Sequence, residues 1–104
     1  MISKLSIIIP AYNEERTITT ILDKVAAVSL PHNIEKEIIV VNDCSTDTTE
    51  AKIKAFDKVP VRYFKLDQNQ GKGAALNKGF AEATGDYVIV QDADLEYDPN
   101  DYND

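Results

Sequence analysis

Val88-Ile89-Val90-Gln91-Asp92-Ala93-Asp94-Leu95-Glu96 is a β-branched run that ends abruptly in acids. Val88, Ile89 and Val90 are apolar without alternation, the pattern of a strand buried on both faces in a parallel sheet. Asp92, Asp94 and Glu96 follow at a spacing of two. If the extended backbone continues, that spacing puts three carboxylates on one face. Like charges so arranged call for a cation among them, and hard oxygen ligands suit a divalent ion. A solvated strand end is the simpler alternative, and the rest of the chain has to decide between them.

Working outward, three more strand-helix units precede this stretch. Residues 5–9 (Leu-Ser-Ile-Ile-Ile) read as a buried strand that Pro10 is expected to end, because proline cannot donate to a central ladder. Ala11-Tyr12-Asn13 turns the chain, and Glu14, Glu15 and Arg16 are expected to open a helix, with acids where its dipole favours them. Ile18, Ile21, Leu22, Val25 and Val28 then form one apolar face. Pro31-His32-Asn33 breaks the helix. Residues 37–41 form a second buried strand, running into the turn and cap residues 42–47. A helix over 48–57, with Thr49, Ile53 and Phe56 inward, leads to a short strand over 61–66 and a polar loop over 67–71. A third helix over 72–84 is expected to turn Leu76, Phe80 and Ala83 inward and to close on Gly85 as its C′ residue. The fourth strand spans 86–90.

This β-α-β-α-β-α-β order with short connections implies an α/β fold: a three-layer α/β/α, doubly wound parallel sheet with right-handed crossovers. Ligands in such sheets bind outside the carboxyl ends of the strands. Tyr12-Asn13-Glu14, residues 43–47 and residues 92–96 all fall there, which favours a site over a merely solvated edge. Asp98-Pro99 reads as an N-cap and N1 proline of a further helix, for which only 100–104 remain. The chain is therefore expected to be the N-terminal part of a longer domain.

Composition narrows the partners. The 104 residues are 43% hydrophobic and 28% charged, enough for one small domain. A net charge of −7 and a pI near 4.6 speak against nucleic acid, since no basic stripe is present. An acidic protein facing a phosphorylated ligand would need a bound cation. Cys44 is the single cysteine, so no disulfide forms within the chain, which suits a reducing compartment. No apolar run approaches the roughly 20 residues of a membrane span.

Four ordered motifs now carry a resemblance. Residues 7–15 (Ile-Ile-Ile-Pro-Ala-Tyr-Asn-Glu-Glu), 40–47 (Val-Val-Asn-Asp-Cys-Ser-Thr-Asp), 69–75 (Asn-Gln-Gly-Lys-Gly-Ala-Ala) and 91–99 (Gln-Asp-Ala-Asp-Leu-Glu-Tyr-Asp-Pro) resemble the inverting family 2 glycosyltransferases of GT-A, Rossmann-like fold. Within these, the acidic motif and the Gly-Lys-Gly segment are most similar to the polyprenyl-phosphate (dolichyl-phosphate) mannosyl- and glucosyltransferases. The resemblance implies that residues 1–104 are the nucleotide-sugar-binding part of such a domain, with a UDP-sugar or GDP-sugar donor. Pro10, Ala11, Tyr12 and Glu14 would belong to the nucleotide pocket, Tyr12 against the base and Glu14 toward the ribose. Packing of Tyr12 on the first helix is the alternative. Asp43 would accept a base N–H, and Ser45 would shape its loop. Asp47 is open between a substrate role and capping the second helix, and Lys72 between the diphosphate or sugar and a solvated first turn. Asp92 and Asp94 would hold Mg²⁺ or Mn²⁺, with Glu96 as a further ligand and Ala93 beside the donor.

The implied reaction transfers a hexose with inversion to a lipid phosphate, which needs little base assistance, or to a saccharide hydroxyl, which needs a carboxylate base. By the resemblance that base and much of the acceptor site lie beyond Asp104, so the 104 residues are expected to be inactive alone, and no residue here is assigned as catalytic. The expected location is cytoplasmic, at the cytoplasmic face of a membrane through further parts of a parent protein. A non-catalytic nucleotide-binding or interaction module is the reading from another class. A nucleotidyltransferase is disfavoured, because residues 10–14 are neither glycine-rich nor basic. The resemblance implies that the first strand flanks the fourth on one side and a strand not present here on the other, so an apolar edge over 86–90 is expected through which chains self-associate.

Overall fold

The computed structural model describes residues 3–92. Strands β1 (Lys4–Ala11), β2 (Glu35–Asn42), β3 (Arg62–Lys65) and β4 (Tyr87–Val90) alternate with helices α1 (Ile18–Ala27), α2 (Thr49–Ala55) and α3 (Lys72–Glu82), with a 3₁₀ turn at Pro31–Asn33. All pairings are parallel, in the order β3-β2-β1-β4. The order runs outward from β1 to β3 and then reverses to place β4 on the other side of β1, which makes the sheet doubly wound. Ala93, Asp94, Glu96 and the helix start expected at Asp98-Pro99 lie outside the described residues.

Two apolar layers sandwich the sheet. Ile7, Ile9 and Ala11 of β1 and Ile38 and Val40 of β2 pack with Ile18, Ile21, Leu22 and Val25 of α1 and Ile53 of α2. The alternate residues Ile39 and Val41 face Ala75 of α3 on the opposite side. Period two along a strand and 3–4 along a helix produce this arrangement directly. Coverage on both faces is why β1 and β2 read as unbroken apolar runs.

Several boundaries differ from expectation. Pro10 does not end β1: it pairs in register with Val41. Gln91 N–H donates to the Ile8 carbonyl and Asp43 N–H to that of Ala11, both at 2.9 Å. Even-numbered residues of β1 therefore address β4 and odd-numbered ones β2. Pro10 is on the β4 side, one step past the last pair, Ile8 with Val90. Its missing N–H removes no bond to β2 and falls where the β1–β4 ladder stops. Helix α1 begins at Ile18 rather than at the acids, which form a turn before it whose Glu14 carbonyl accepts the N–H groups of both Thr17 and Ile18. At its far end, the Lys36 ammonium donates to the carbonyls of Val25, Ala26 and Val28. Burial lowers the Lys36 pKa, and the three carbonyls at the end of the helix are its compensation.

Helix α3 departs furthest. Its buried residues are Ala75 and Gly79, whereas Phe80 is 49% exposed and Leu76 only partly covered. The helix lies so close to β1 that a Cβ on Gly79 would stand 2.5 Å from Ile8 Cγ2. Close approach selects small residues and turns the large ones aside. Gly85 is not a left-handed C′ residue, since Gly71 is the glycine with positive φ. It passes beside β1, where a Cβ would meet Ser6 N and Oγ at 2.7 Å.

The amino ends of the strands are tied by one buried carboxylate. Glu37 accepts from Ser6 Oγ (2.7 Å), Thr84 N–H (2.9 Å), Thr84 Oγ1 (2.8 Å) and Arg62 Nη1 (3.2 Å), with Lys4 Nζ at 3.4 Å. Desolvation pushes its pKa up, but the hydrogen bonds from Ser6 and Thr84 and the Lys4 charge outweigh this and hold it down at about 2.

Two predictions follow from this packing. Gly79→Val should destabilise the fold by about 2–3 kcal/mol, from overpacking against Ile8. Gly73→Ala, with nothing within 4 Å of its added Cβ, should instead stabilise it by about 0.5 kcal/mol. Urea unfolding of both variants checks the contrast, and equal effects would refute it. Glu37 has a depressed folded-state pKa, so its stabilisation is present above its ordinary value of 4.5 and lost as pH falls toward about 2. Glu37→Gln should flatten that part of the stability-pH curve, measured by thermal melts across the window.

Candidate functional site

Four carboxyl-end segments meet beside the reversal point. They bound a cavity of about 380 Å³ lined by Pro10, Ala11, Tyr12, Glu14, Asp43, Asn69, Gly71, Lys72, Ala75 and Asp92. Every described residue that the sequence nominated for the donor site is in this lining. Tyr12 is 44% exposed and offers a ring as part of the wall. The cavity falls where β1 and β4 diverge, the place an order-reversing parallel sheet provides for a ligand.

The walls are held by side chains that substitute for missing backbone ladders. Asn13, at φ 52°, accepts Thr46 N–H on Oδ1 at 2.8 Å and donates its own N–H to Ser45 Oγ at 2.9 Å. Asn42 is buried and accepts Ser45 N–H and Oγ–H. Ser45 thus shapes the loop, as expected. Asp47 Oδ1 accepts Thr49 N–H at 2.9 Å and Oδ2 accepts Glu15 N–H at 3.3 Å. Its two oxygens serve the start of α2 and the turn before α1, which favours the capping role. Desolvation raises the Asp47 pKa, yet the Thr49 and Glu15 hydrogen bonds leave it below the ordinary carboxylate range. Glu15 is also lowered, first by the Thr48 hydroxyl and then by Thr48 N–H.

Asp43 is buried, 4% exposed, and gathers the loop ahead of α3. Its Oδ1 accepts Gln70 N–H at 2.8 Å, and its Oδ2 accepts Gly71 N–H at 2.8 Å and Asn69 Nδ2 at 3.2 Å. Gly71 takes φ +94°, a conformation that side chains disfavour, and sends the chain straight into α3. Asn69, Gly71 and Ala75 were not nominated from the sequence, although all three lie in the motif over 69–75. The left-handed glycine and the amide-to-Asp43 contact are tertiary facts that spacing alone does not carry.

Lys72, on the first turn of α3, reaches across the cavity. Its Nζ is 2.5 Å from Asp92 Oδ1, with the side chains 58% and 20% exposed. Asp92 is the first acid of the motif after β4. Among the described residues no group of three His, Cys, Asp or Glu side chains is arranged to hold a metal ion. Asp94 and Glu96, the other expected ligands, lie outside them. The donor set fits a hard divalent ion in kind, since its described member is a carboxylate already balanced by a cation.

Comparison with known proteins gives a consistent result. The chain is 35% identical over 97 residues to dolichol-phosphate mannosyltransferase of Pyrococcus furiosus, covering 92% of this chain and 27% of that protein. It is 38% identical over 95 residues to poly-beta-1,6-N-acetyl-D-glucosamine synthase of Staphylococcus epidermidis, covering 90% and 22%. TarS 1-349 of S. aureus, crystallised with UDP-GlcNAc, superposes with a TM-score of 0.79 at 35% identity, covering 88% of this chain and 26% of that one. The mannosyltransferase PcManGT of Pyrobaculum calidifontis, in complex with GDP-Man and Mn²⁺, superposes at 0.77 and 30% identity, covering 86% and 27%. The chain thus spans about a quarter of the length of these relatives, and its sheet is the GT-A, Rossmann-like fold expected. Since the description Glycosyl transferase family 2 matches residues 6–104, nearly the whole chain, the protein belongs to that family.

Proposed function

We propose that this chain forms the donor half of a hexosyltransferase that takes a UDP-sugar or GDP-sugar and transfers the sugar with inversion. The observation that carries the proposal is the meeting of Pro10, Ala11, Tyr12, Glu14, Asp43, Lys72 and Asp92 on one cavity at the sheet's reversal point. Tyr12 supplies a π face for the base, and the Glu14 carboxylate an acceptor for ribose hydroxyls. Asp43 Oδ1 takes one backbone N–H, and a carboxylate oxygen has capacity for a second donor, here a base N–H. By the family resemblance Ala93 would lie beside the donor.

Asp92, Asp94 and Glu96 would hold Mg²⁺ or Mn²⁺, which when bound supplies Lewis-acid stabilisation of the leaving diphosphate. Lys72 adds a monovalent positive charge on the same side. The acceptor is a polyprenyl phosphate, supported by the likeness to dolichol-phosphate mannosyltransferase. The similar identity to a poly-N-acetylglucosamine synthase supports a saccharide hydroxyl as the second reading. Among the described residues no helix is long and apolar enough to cross a membrane. On this reading the reaction takes place in the cytoplasm, at the membrane face where a lipid acceptor presents its phosphate.

Titration calorimetry with UDP and GDP, with and without Mn²⁺, tests the donor-site reading. One nucleotide should bind in a metal-dependent way, and Asp94→Ala should weaken that binding at least about tenfold, or about 1.4 kcal/mol. Binding indifferent to both metal and substitution would overturn it in favour of a non-catalytic module.

We further propose that the chain self-associates through β4. Among the described residues β4 pairs with β1 alone, and Tyr87, Val88 and Val90 are 59%, 38% and 38% exposed. An apolar strand paired on one edge is a template for another strand on its second edge. Light scattering should show mass rising with concentration, and a clean monomer at high concentration would sink the idea.

A further inference from the structure

The Lys72–Asp92 pair bridges two elements that the chain brings together from far apart in sequence, and both partners line the cavity. The position of Lys72 is set from below: the Asp43 carboxylate fixes the N–H groups of Gln70 and Gly71, and the next residue is Lys72. From that backbone position its ammonium meets Asp92 across the cavity, with the side chain 58% exposed. Asp92 is largely covered, and a carboxylate so placed favours a cation beside it. With Lys72 more than half exposed, the pair is screened and of modest strength, the kind another cation displaces.

We infer that Lys72 is a resident stand-in cation: it neutralises Asp92 in the free protein and passes to the donor's diphosphate once the carboxylate is taken over by a divalent ion. This rests on the donor-site reading above. Two positive centres compete for one carboxylate, so Lys72 opposes metal binding to the free protein. An anionic diphosphate offers the ammonium a new partner, so in the ternary complex the same residue becomes favourable. The lysine would thereby make metal and donor bind together rather than separately, a coupling between two ligands that must be reciprocal. Lys72 is in this sense a positioning residue, acting through Asp92 before it meets the donor.

The consequence is a reversal of sign. Mn²⁺ binding to the 104-residue chain, followed by the electron paramagnetic resonance signal of free Mn²⁺, should tighten about 3- to 10-fold in Lys72→Met when no nucleotide is present. With Mn²⁺ saturating, the affinity for whichever of GDP or UDP the wild type binds should fall about 10-fold in the same variant. Lys72→Arg keeps the charge and should restore wild-type Mn²⁺ affinity, which separates charge from folding defects. Unchanged or weaker Mn²⁺ binding in Lys72→Met overturns this inference alone. A wild type that binds no Mn²⁺, with or without nucleotide, overturns the donor-site reading along with it.

Discussion

The backbone of β1 can satisfy a neighbour on each side only as far as Pro10. On the odd side it runs to Ala11 and hands on to Asp43. On the even side it has no N–H to offer after Ile8, and the β4 ladder ends at Val90. From this single missing donor the strand ends diverge. The chain of β4 leaves as Gln91-Asp92, that of β1 as Tyr12-Asn13, and the opening between them is the cavity. A proline that sequence reasoning takes as a stop is a one-sided stop, and the side it spares keeps the sheet intact behind the site.

Opening a crevice leaves loop backbone unpaired, and the protein answers with carboxylates and amides rather than with more strand. Asp43, Asp47, Asn13 and Asn42 each accept loop N–H groups, Asp43 and Asn13 from segments distant in sequence, Asp47 and Asn42 from residues two and three further on. A carboxylate accepting backbone N–H bonds gains charge-assisted strength and has little freedom left to move. The consequence is a rim that is preorganised before any ligand arrives. The far end of the sheet uses the same device in Glu37 and in Asp86, which accepts the N–H groups of Ser3 and Lys4, and ordering a structural junction is the result. The two ends differ in what is left over: at Glu37 the partners close around the carboxylate, whereas around Asp43 and Asp92 an open volume remains.

Much of this was legible in the chain. Unbroken β-branched runs named both central strands, and alternation with helices named a parallel sheet. The rule that ligands sit at carboxyl ends then pointed to residues 12–14, 43–47 and 92–96, and the family resemblance singled out Tyr12, Glu14, Asp43 and Asp92 among them, four residues that line one cavity. What escaped reading depended on distance rather than pattern. Helical periodicity offers Leu76, Phe80 and Ala83 as an inward stripe by hydrophobicity. Ala83 does pack against that side, but in place of Leu76 and Phe80 the sheet selects Ala75 and Gly79 by size, because α3 approaches β1 too closely for anything larger. A stripe of small residues four apart was present in the sequence, but hydrophobic ranking gives glycine no weight. Glu37 likewise reads as a polar strand start. Its partners, Ser6, Arg62 and Thr84, come from three other segments, and their convergence is a product of topology.

Charge connects fold to function most directly. On the proposed reading a chain of net −7 would have to receive an anionic donor, and the cavity wall itself carries Glu14, Asp43 and Asp92. Asp43 is answered by the backbone N–H groups of the loop it holds, and Asp92 by the ammonium of Lys72. Lys72 stands where it does because that loop is fixed, so the two compensations are mechanically linked through Gly71. A base hydrogen bond at Asp43 and a phosphate contact at Lys72 would therefore be made by one rigid unit, the loop over 69–71 and the first turn of α3. On that reading the unit would give an acidic fold a defined place at which negative charge is acceptable, and would tie recognition of the base to the handling of the diphosphate.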